Sequence, residues 1–316
     1  MHPFRFGIQL ANLPADGWRE RLGRIEALGY SSIFWPDHFN PMWEPTAALA
    51  AAAAVTERVR IGSLVYGVDY RHPVVMAKSA ATLQLLSGGR HEFGLGAGWM
   101  ETDYAAAGMP YDRPGLRIER LEEALQIIRG MWTRERTSFE GRHYRVRDVE
   151  RAVAGLDESE PPRVLVGGGG PRLLALAGRH ADIVGINPKL SEGRVTRETA
   201  ADALVENTRE KVRWVREAAE AAGRDPELLE LNALVFVVAL ADDPGPARAA
   251  IGQQTGLTPE EIATCPLFLT GSASEIQDRL LKQREETGIS YVVVQGDRPE
   301  LIESFAEAVV APLAGA

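Results

Sequence analysis

The 316-residue sequence has few features of secreted, membrane-bound or nucleic-acid-binding proteins. Its single cysteine, Cys265, excludes an internal disulfide and favours a reducing compartment, so we expect a cytoplasmic protein. The alanine-rich tract at residues 47–55 is shorter than the roughly 20 residues that a membrane-spanning helix needs, and no signal-peptide segment is recognised. The formal net charge is -9 and Lys and Arg do not cluster, so neither nucleic acid nor an anionic membrane is an expected partner.

Several common catalytic motifs are also missing. The dinucleotide fingerprint G-x-G-x-x-G does not follow the first apolar strand, and there is no Walker A loop and no G-x-S-x-G serine elbow. The six histidines form neither an H-x-H pair nor an H-E-x-x-H helix, so we expect no metal site. These absences argue against a nicotinamide-binding open sheet, a P-loop enzyme, a serine hydrolase and a metal-dependent hydrolase.

Short apolar segments alternate with helical patterns along the chain, which predicts a parallel sheet. The predicted strands cover residues 4–10, 31–35, 60–66, 91–98, 163–168, 181–187, 229–240 and 291–295. Eight strand–helix repeats predict an α/β fold, the closed (β/α)8 TIM barrel, with a doubly wound open sheet as the alternative. We predict one domain over residues 1–316, with insertions near 134–162, 187–200 and 241–270. The first insertion is expected to hold a β-hairpin that turns at Glu140-Gly141.

The second predicted strand runs directly into an acid and an imidazole. In FWPDHFNPMW, Asp37 and His38 follow the apolar run, and active sites of such barrels lie at the C-terminal ends of the strands. An imidazole, with an unperturbed pKa of about 6.5, is suited to holding or passing a proton near neutral pH. The alternative interpretation is a structural Asp–His pair that caps the loop.

A glycine-rich segment, GLGAGWMETDY, follows the fourth predicted strand. Its glycines, among them Gly96 and Gly98, would let a flat ligand approach the strand end closely. Glu101 comes three residues later, near the start of a short predicted helix. It is a candidate acid or base, or simply an acid in a first helical turn, where the helix dipole favours it.

A second glycine-rich segment, VLVGGGGPR, follows the fifth predicted strand. Four glycines, from Gly167 to Gly170, precede a helix whose first residue is expected to be Pro171. Backbone N–H groups backed by a helix dipole make a phosphate site, while a tight turn without a ligand is the alternative. Glycine-lined space, a phosphate site, aromatic residues and a His/Glu pair together suit a bound organic cofactor.

Together these segments resemble the bacterial luciferase-like superfamily, and more narrowly its branch of oxidoreductases that use the deazaflavin coenzyme F420. The resemblance extends from residue 4 to about residue 190 and is carried by DHFNP, GSLVYGVDYRHP, TLQLLSGGR, GLGAGWMETDY, RIERLEEALQIIRGMW, GRHY and VLVGGGGPRLLALAGRHADIVGIN. It implies a TIM barrel, usually a homodimer, that holds the cofactor at the C-terminal face.

The resemblance also implies roles for individual residues. His38 would be the proton donor or anion stabiliser beside the reactive ring carbon, Glu101 the second acid or base, and Asp37 a cofactor contact. Leu64 and Val65 would form the bulge that backs the ring, often through a non-proline cis peptide. Further expected cofactor contacts are Gly67, Gly96, Gly98, Gly167, Gly168, Gly169 and Gly170. The expected substrate-pocket residues are Trp43, Tyr66, Asp69 and Trp99.

Two departures speak against a sugar-phosphate substrate. Sugar-phosphate dehydrogenases of this branch carry a tryptophan where this chain has Met42, with Trp43 one place late. Their substrate-phosphate lysines do not align, and Lys189, Lys211 and Lys282 are only candidates. The aromatic surroundings favour a small apolar or aromatic substrate instead.

The sequence therefore predicts a coenzyme F420-dependent oxidoreductase that transfers a hydride between the deazaflavin C5 and a small organic substrate. One alternative is an FMN-dependent, two-component monooxygenase of the same superfamily, and another is a non-catalytic flavin- or deazaflavin-binding protein. Residues 105–115 and the loop after Asn187, which are rich in Gly, Pro and polar residues, are the predicted covers of the site.

Overall fold

Eight parallel strands close into a barrel, as the alternating pattern predicts. A computed structural model of the chain describes residues 1–190, 197–296 and 298–316. Each strand pairs with its neighbours in chain order, and the last pairs with the first, which excludes the open doubly wound sheet. The barrel strands are β1 Arg5–Gln9, β2 Ser32–Trp35, β3 Arg60–Ser63, β4 His91–Gly96, β5 Arg163–Gly168, β6 Ile183–Ile186, β7 Glu230–Val235 and β8 Ile289–Gln295.

Near-continuous apolar sequence explains why these strands are central. In β8, ISYVVVQ is buried along all but its last residue, as expected for a parallel strand covered on both faces. Alternate side chains point to opposite faces, so the strands supply two separate clusters. Those that share the barrel interior are Phe34, Leu165, Ile183, Tyr291 and Val293. Their neighbours along each strand pack against the surrounding helices.

Helices cover the outside of the barrel, and several begin with proline at the first or second helical position. Two end-capping devices are explicit: Thr258 and Ser272 each open a helix with a reciprocal capping box. None of the helices that the structure describes is long and apolar enough to cross a membrane. The α-helices are Trp18–Ala27, Pro45–Val55, Pro73–Leu86, Glu101–Ala106, Pro114–Thr133, Pro171–His180, Arg197–Asp202, Val205–Ala221, Gly245–Thr255, Pro259–Thr264, Ala273–Thr287, Pro299–Phe305 and Ala311–Leu313.

The structure corrects two strand predictions. The apolar run at 229–240 is not one strand: Val237–Leu240 leaves the barrel after β7 and pairs in parallel with Phe268–Gly271. An unbroken apolar run carries no signal for this change of partner. The run at 60–66 is interrupted after β3 by the cis peptide Leu64-Val65, and Tyr66–Gly67 then pairs again with β4.

The insertions add structure outside the barrel. The predicted hairpin is present as antiparallel strands Arg136–Glu140 and Arg145–Glu150. The insertion near 241–270 carries two helices and the strand Phe268–Gly271. The insertion near 187–200 includes residues 191–196, which lie outside the described residues.

A buried charge network fills the N-terminal end of the barrel. Glu92, which is fully buried, accepts hydrogen bonds from Arg5 at 2.7 Å and Tyr291 at 2.7 Å, and Arg60 lies 2.7 Å away. Glu230 accepts from Arg5 at 2.7 Å and Arg163 at 2.9 Å. Burial alone would raise the pKa of Glu92, but the guanidinium groups of Arg5 and Arg60 outweigh it and hold that pKa below its usual value.

Candidate active site

His38 lies at the C-terminal face of the barrel, just after β2, as its position in the sequence predicts. Its Nδ1 is 2.7 Å from a carboxylate oxygen of Asp103, and its side chain is 16% exposed against 5% for Asp103. An ionised carboxylate can only accept, so Nδ1 donates and carries a proton. No other described residue hydrogen-bonds the ring, which leaves Nε2 available to a ligand.

Asp103 has two further donors that fix it. The backbone N–H of Phe39 lies 3.4 Å from one oxygen, and the Tyr70 hydroxyl lies 3.4 Å from the other. The Tyr70 ring packs on Phe39 with 4.6 Å between centroids. Burial, followed by the charge of Asp103, raises the pKa of Tyr70, so Tyr70 remains a protonated donor. Asp103 is therefore held by three partners, the His38 ring, the Phe39 backbone and the Tyr70 hydroxyl.

Asp37, the neighbour of His38, makes a different set of contacts. Both of its oxygens accept from Arg71, at 2.6 and 3.1 Å, and one accepts the backbone N–H of Gly67 at 3.0 Å. Arg71 also donates to Glu44 at 2.7 Å. This bidentate pair joins the loop after β2 to the loop after β3 and fixes the backbone next to His38. The cofactor contact predicted for Asp37 remains a prediction.

Leu64 and Val65 lie against the cluster inside the barrel, and their role in backing a cofactor ring remains a prediction. Both pack on the cluster inside the barrel and remain half-buried, so they separate that interior from the C-terminal face. Gln9, at the end of β1, donates to the Leu64 carbonyl at 2.8 Å. A Cβ on Gly96 would lie only 2.6 Å from a Val65 methyl carbon, so glycine is required there.

The glycine-rich loop after β5 leads into the helix Pro171–His180, as predicted, with Gly170 as its N-cap. A Cβ on Gly169 would lie 2.4 Å from the Pro188 carbonyl, whereas one on Gly170 would have no atom within 4 Å. The loop is thus packed on one side and open on the other. The N–H groups of a first helical turn lack partners within their helix, so the open side is suited to an anion.

Three predicted substrate-pocket residues have structural partners. The Tyr66 ring is buried, and its hydroxyl lies 3.2 Å from that of Thr46. Asp69 accepts from Tyr104 at 2.9 Å and lies 3.1 Å from Arg120, while burial raises its pKa. Trp43 is half-buried and packs against the main core. None of these contacts tests a role in substrate binding, which remains a prediction.

Trp99, which follows Gly98, lies beside the imidazole. The Trp99 ring meets His38 edge-on, with 5.8 Å between centroids. Gly98 has a φ of +73°, and a Cβ there would lie 2.0 Å from the Tyr104 hydroxyl. Glycine at this position lets the chain turn tightly between β4 and the helix Glu101–Ala106.

Glu101 is the first residue of that helix, and its side chain is exposed. The carboxylate that contacts His38 is Asp103, which sequence reasoning did not select. In a helix, residues two apart point about 200° from each other, so Glu101 and Asp103 cannot both face the imidazole. The sequence pattern does not distinguish the two acids, because both lie in the first turn of the same short helix. The catalytic role predicted for Glu101 remains untested.

The two predicted covers of the site are residues 105–115 and the loop after Asn187. Within residues 105–115, Tyr111 donates to the Trp99 carbonyl at 2.8 Å and the buried Arg117 donates to the Asp112 carbonyl at 2.6 Å. These bonds tie the segment to the strand-end loop and to the helix Pro114–Thr133. The loop after Asn187 continues into residues 191–196, which lie outside the described residues. Closure of either segment remains a prediction.

The three candidate lysines have distinct environments. Lys211 is 2% exposed and its ammonium is surrounded by oxygens of the chain itself, so it is not a free phosphate ligand. Lys282 is exposed on the outer helix Ala273–Thr287. Lys189 is exposed, and its backbone packs closely on the glycine loop: a Cβ on Gly169 would lie 2.5 Å from the Lys189 backbone nitrogen.

Similar proteins share this sequence pattern over part of their length. The chain is 39% identical over 170 residues to an F420-dependent glucose-6-phosphate dehydrogenase of Intrasporangium calvum, covering 50% of each chain. It is 31% identical over 234 residues to an F420-dependent hydroxymycolic acid dehydrogenase of Mycobacterium tuberculosis, covering 71% of this chain and 59% of the relative. The chain thus spans about half to three fifths of the length of these relatives.

Solved structures share the fold at low identity. An F420-dependent secondary alcohol dehydrogenase in complex with an F420-acetone adduct superposes with a TM-score of 0.78 at 19% identity, covering 98% of this chain and 99% of that one. The long-chain alkane monooxygenase LadA superposes with a TM-score of 0.79 at 16% identity, covering 99% and 91%. At these identities the likeness shows the barrel alone. Residues 3–286 match the family described as luciferase-like monooxygenase, and the chain belongs to that family.

Proposed function

We propose that the protein is a coenzyme F420-dependent oxidoreductase that transfers a hydride between C5 of the deazaflavin and a small organic substrate. The observation that carries the proposal is the His38–Asp103 pair, at 2.7 Å, on the same barrel face as the glycine loop. The similar dehydrogenases named above are described as F420-dependent, which supports the choice of cofactor.

The residues at this face fit a flat, phosphorylated ring. Val65 and Leu64 offer an apolar floor, and Gly96 leaves room for the Val65 side chain to lie there. Gly170 opens on space at the start of a helix, where an anion is favoured. We propose that Gly167, Gly168, Gly169 and Gly170 hold the phosphate, and that Gly67, Gly98 and Asp37 shape the rest of the cofactor site.

When bound, the deazaflavin supplies a ring carbon that accepts or gives up a hydride. His38 is the residue of this chain best suited to the accompanying proton. Its Nδ1 donates to Asp103, so Nε2 can accept a proton from the substrate or, when the ring is charged, return one. Asp103 holds the ring in this orientation and balances its positive charge. Trp99 lies edge-on to the same imidazole and would limit the room for substrate to small apolar or aromatic groups.

The proposal is tested by equilibrium binding of the apo-protein to coenzyme F420 and, in parallel, to FMN, followed through their fluorescence. Micromolar or tighter binding of F420 with weak FMN binding is expected. The reverse preference would move the assignment to an FMN-dependent monooxygenase. Tight F420 binding with no turnover across a broad panel of alcohols and carbonyl compounds would favour a non-catalytic binding protein.

We also propose a homodimer that buries the outer surface of two neighbouring helices. The helix Pro45–Val55 contains no charged residue, and the helix Pro73–Leu86 contains only Lys78. An outer helix without a polar face is typical of a buried position, yet Val75 and Leu86 are 52% and 60% exposed. Sedimentation should give a dimer for the wild type and a monomer for Leu86→Glu. A wild-type monomer at all concentrations would contradict the proposal.

The compartment is proposed on a separate ground. Cys265 is buried and free, and burial raises the pKa of its thiol. A protein with this single, unreactive cysteine needs no oxidising environment, which supports a cytoplasmic location.

A further inference from the structure

Lys211 is a buried cation behind the glycine loop. It lies on the helix Val205–Ala221 and is 2% exposed. Its Nζ donates to the Asn187 carbonyl at 3.1 Å, to the Asp202 carbonyl at 2.8 Å and to an Asp202 carboxylate oxygen at 2.5 Å. A lysine ammonium has three N–H donors, so all of them are used within the chain. Burial lowers the pKa of Lys211, and Asp202 opposes that change.

The same contacts fix the segment 187–189. The carboxylate oxygen of Asp202 that binds Lys211 also accepts the backbone N–H of Lys189 at 2.7 Å. At the other end of the segment, the backbone N–H of Asn187 donates to the Gly168 carbonyl at 2.9 Å. One ion pair therefore holds both ends of a three-residue segment that follows β6.

That segment is the wall against which the glycine loop packs. A Cβ on Gly169 would lie 2.4 Å from the Pro188 carbonyl and 2.5 Å from the Lys189 nitrogen, and one on Gly167 would lie 3.1 Å from the Asn187 side-chain nitrogen. Such close backbone-to-backbone approach leaves the loop no room on this side. The position of segment 187–189 thus determines the shape of the loop.

We propose that Lys211 and Asp202 are a positioning pair that sets the shape of the phosphate-binding loop from behind, without touching the ligand. This inference rests on the proposed function, because it takes the glycine loop as the phosphate site. Backbone N–H groups bind an anion well only when they are already aligned, since each lost alignment costs a hydrogen bond. Breaking the pair should therefore weaken recognition of the phosphate and leave recognition of the ring system nearly unchanged.

The test compares each cofactor with its phosphate-free counterpart. Dissociation constants would be measured for F420 and for its phosphate-free deazaflavin chromophore, and for FMN and riboflavin, with the wild type, Lys211→Met and Asp202→Asn. Lys282→Met, an exposed lysine on an outer helix, is the matched control. We expect Lys211→Met and Asp202→Asn to raise the dissociation constant of the phosphorylated ligand at least tenfold, which is about 1.4 kcal/mol. The dissociation constant of the phosphate-free ligand should change less than about twofold. The control should match the wild type for both ligands.

Three outcomes would overturn the inference. Equal weakening of the phosphorylated and phosphate-free ligands would show a general structural role, and unchanged constants would show no role. A wild type that does not prefer the phosphorylated ligand would remove the phosphate site itself. If the wild type prefers FMN to F420, the proposed function fails, while the FMN and riboflavin pair still tests the positioning role. If Lys211→Met does not fold, Asp202→Asn carries the same comparison, because the Asp202 side chain is 32% exposed.

Discussion

The two ends of this barrel both contain acids paired with bases, but they are built differently. At the N-terminal end, Glu92 is fully buried and contacts the guanidinium groups of Arg5 and Arg60, each at 2.7 Å. At the C-terminal end, Asp103 contacts Nδ1 of His38, and the imidazole stays partly exposed. The first arrangement directs its guanidinium groups at buried carboxylates, whereas the second leaves Nε2 of the imidazole without a hydrogen-bond partner among the described residues.

The difference indicates what each end contributes. A buried pair costs desolvation when it forms and is costly to break, so the N-terminal network contributes to the integrity of the folded barrel. An incompletely partnered imidazole contributes little to stability but can exchange a proton. In the proposed function, stability and chemistry would thus be separated along the barrel axis, as is general for this fold.

The largest effect should come from the C-terminal end of the barrel, where His38 lies. His38→Asn removes the imidazole while retaining hydrogen-bonding ability toward Asp103. General acid–base catalysis contributes about 10²–10⁴-fold, so kcat should fall by that factor while cofactor affinity changes little. Steady-state kinetics and cofactor titration check this, with His143→Asn as the control, because His143 contacts Glu119 on the hairpin side. A His38 variant with wild-type kcat would contradict the assigned role.

At the N-terminal end of the barrel, a substitution should change the stability of the fold and not kcat. Glu92→Gln removes the fully buried charge that faces Arg5 and Arg60 and leaves these two partly buried guanidinium groups undercompensated, which should cost about 3–5 kcal/mol of unfolding free energy. Urea denaturation measures this, and kcat of the folded fraction should be unchanged. Glu303→Gln, which breaks the surface pair with Arg24, should cost far less.

The pH dependence of the same variant sharpens this expectation. The folded-state pKa of Glu92 is held below its unfolded value, despite the opposing effect of burial, by Arg5 and Arg60. A depressed carboxylate pKa adds stability above the unfolded value of about 4.3, and this is lost as the pH falls through the folded pKa. The wild type should therefore lose stability on acidification more steeply than Glu92→Gln. Parallel curves of unfolding free energy against pH would contradict the argument.

Much of the fold could be predicted from sequence, because strand and helix periodicity is local. From the predicted strand ends we expected His38 and the glycine loop at the C-terminal face of the barrel, where the structure has both. What could not be predicted depends on distant partners or on rotation about a short helix. The bidentate bond from Arg71 to Asp37 and the burial of Lys211 leave no periodic signal. The choice between Glu101 and Asp103 depended on which side of one helical turn faces the barrel mouth.

At the C-terminal end, Asp103→Asn should lower kcat less than His38→Asn does. Asparagine still accepts a hydrogen bond from Nδ1 of His38 but cannot balance a charged imidazole. A charge-assisted hydrogen bond contributes about 1.5–3 kcal/mol, so kcat should fall about 10–100-fold with KM nearly constant. Glu101→Gln is the matched comparison on the same helix, since its side chain is exposed. A larger loss for Glu101→Gln than for Asp103→Asn would reverse their assignment and restore Glu101 as the acid or base.

The smallest effect should come from Tyr70→Phe. The Tyr70 hydroxyl lies 3.4 Å from the Asp103 oxygen that His38 contacts at 2.7 Å, so it is the weaker of the two donors. Its removal leaves the ring packing on Phe39 in place and should lower kcat only about twofold to tenfold, because a hydrogen bond as long as 3.4 Å contributes no more than the typical value of about 0.5–1.5 kcal/mol. In an Asp103→Asn background the same change should have almost no effect, because both substitutions act through one carboxylate. Full additivity in that double-mutant cycle would mean that Tyr70 does not act through Asp103. The C-terminal end would then contain two independent polar groups, Tyr70 and the His38–Asp103 pair, and not one hydrogen-bonded network.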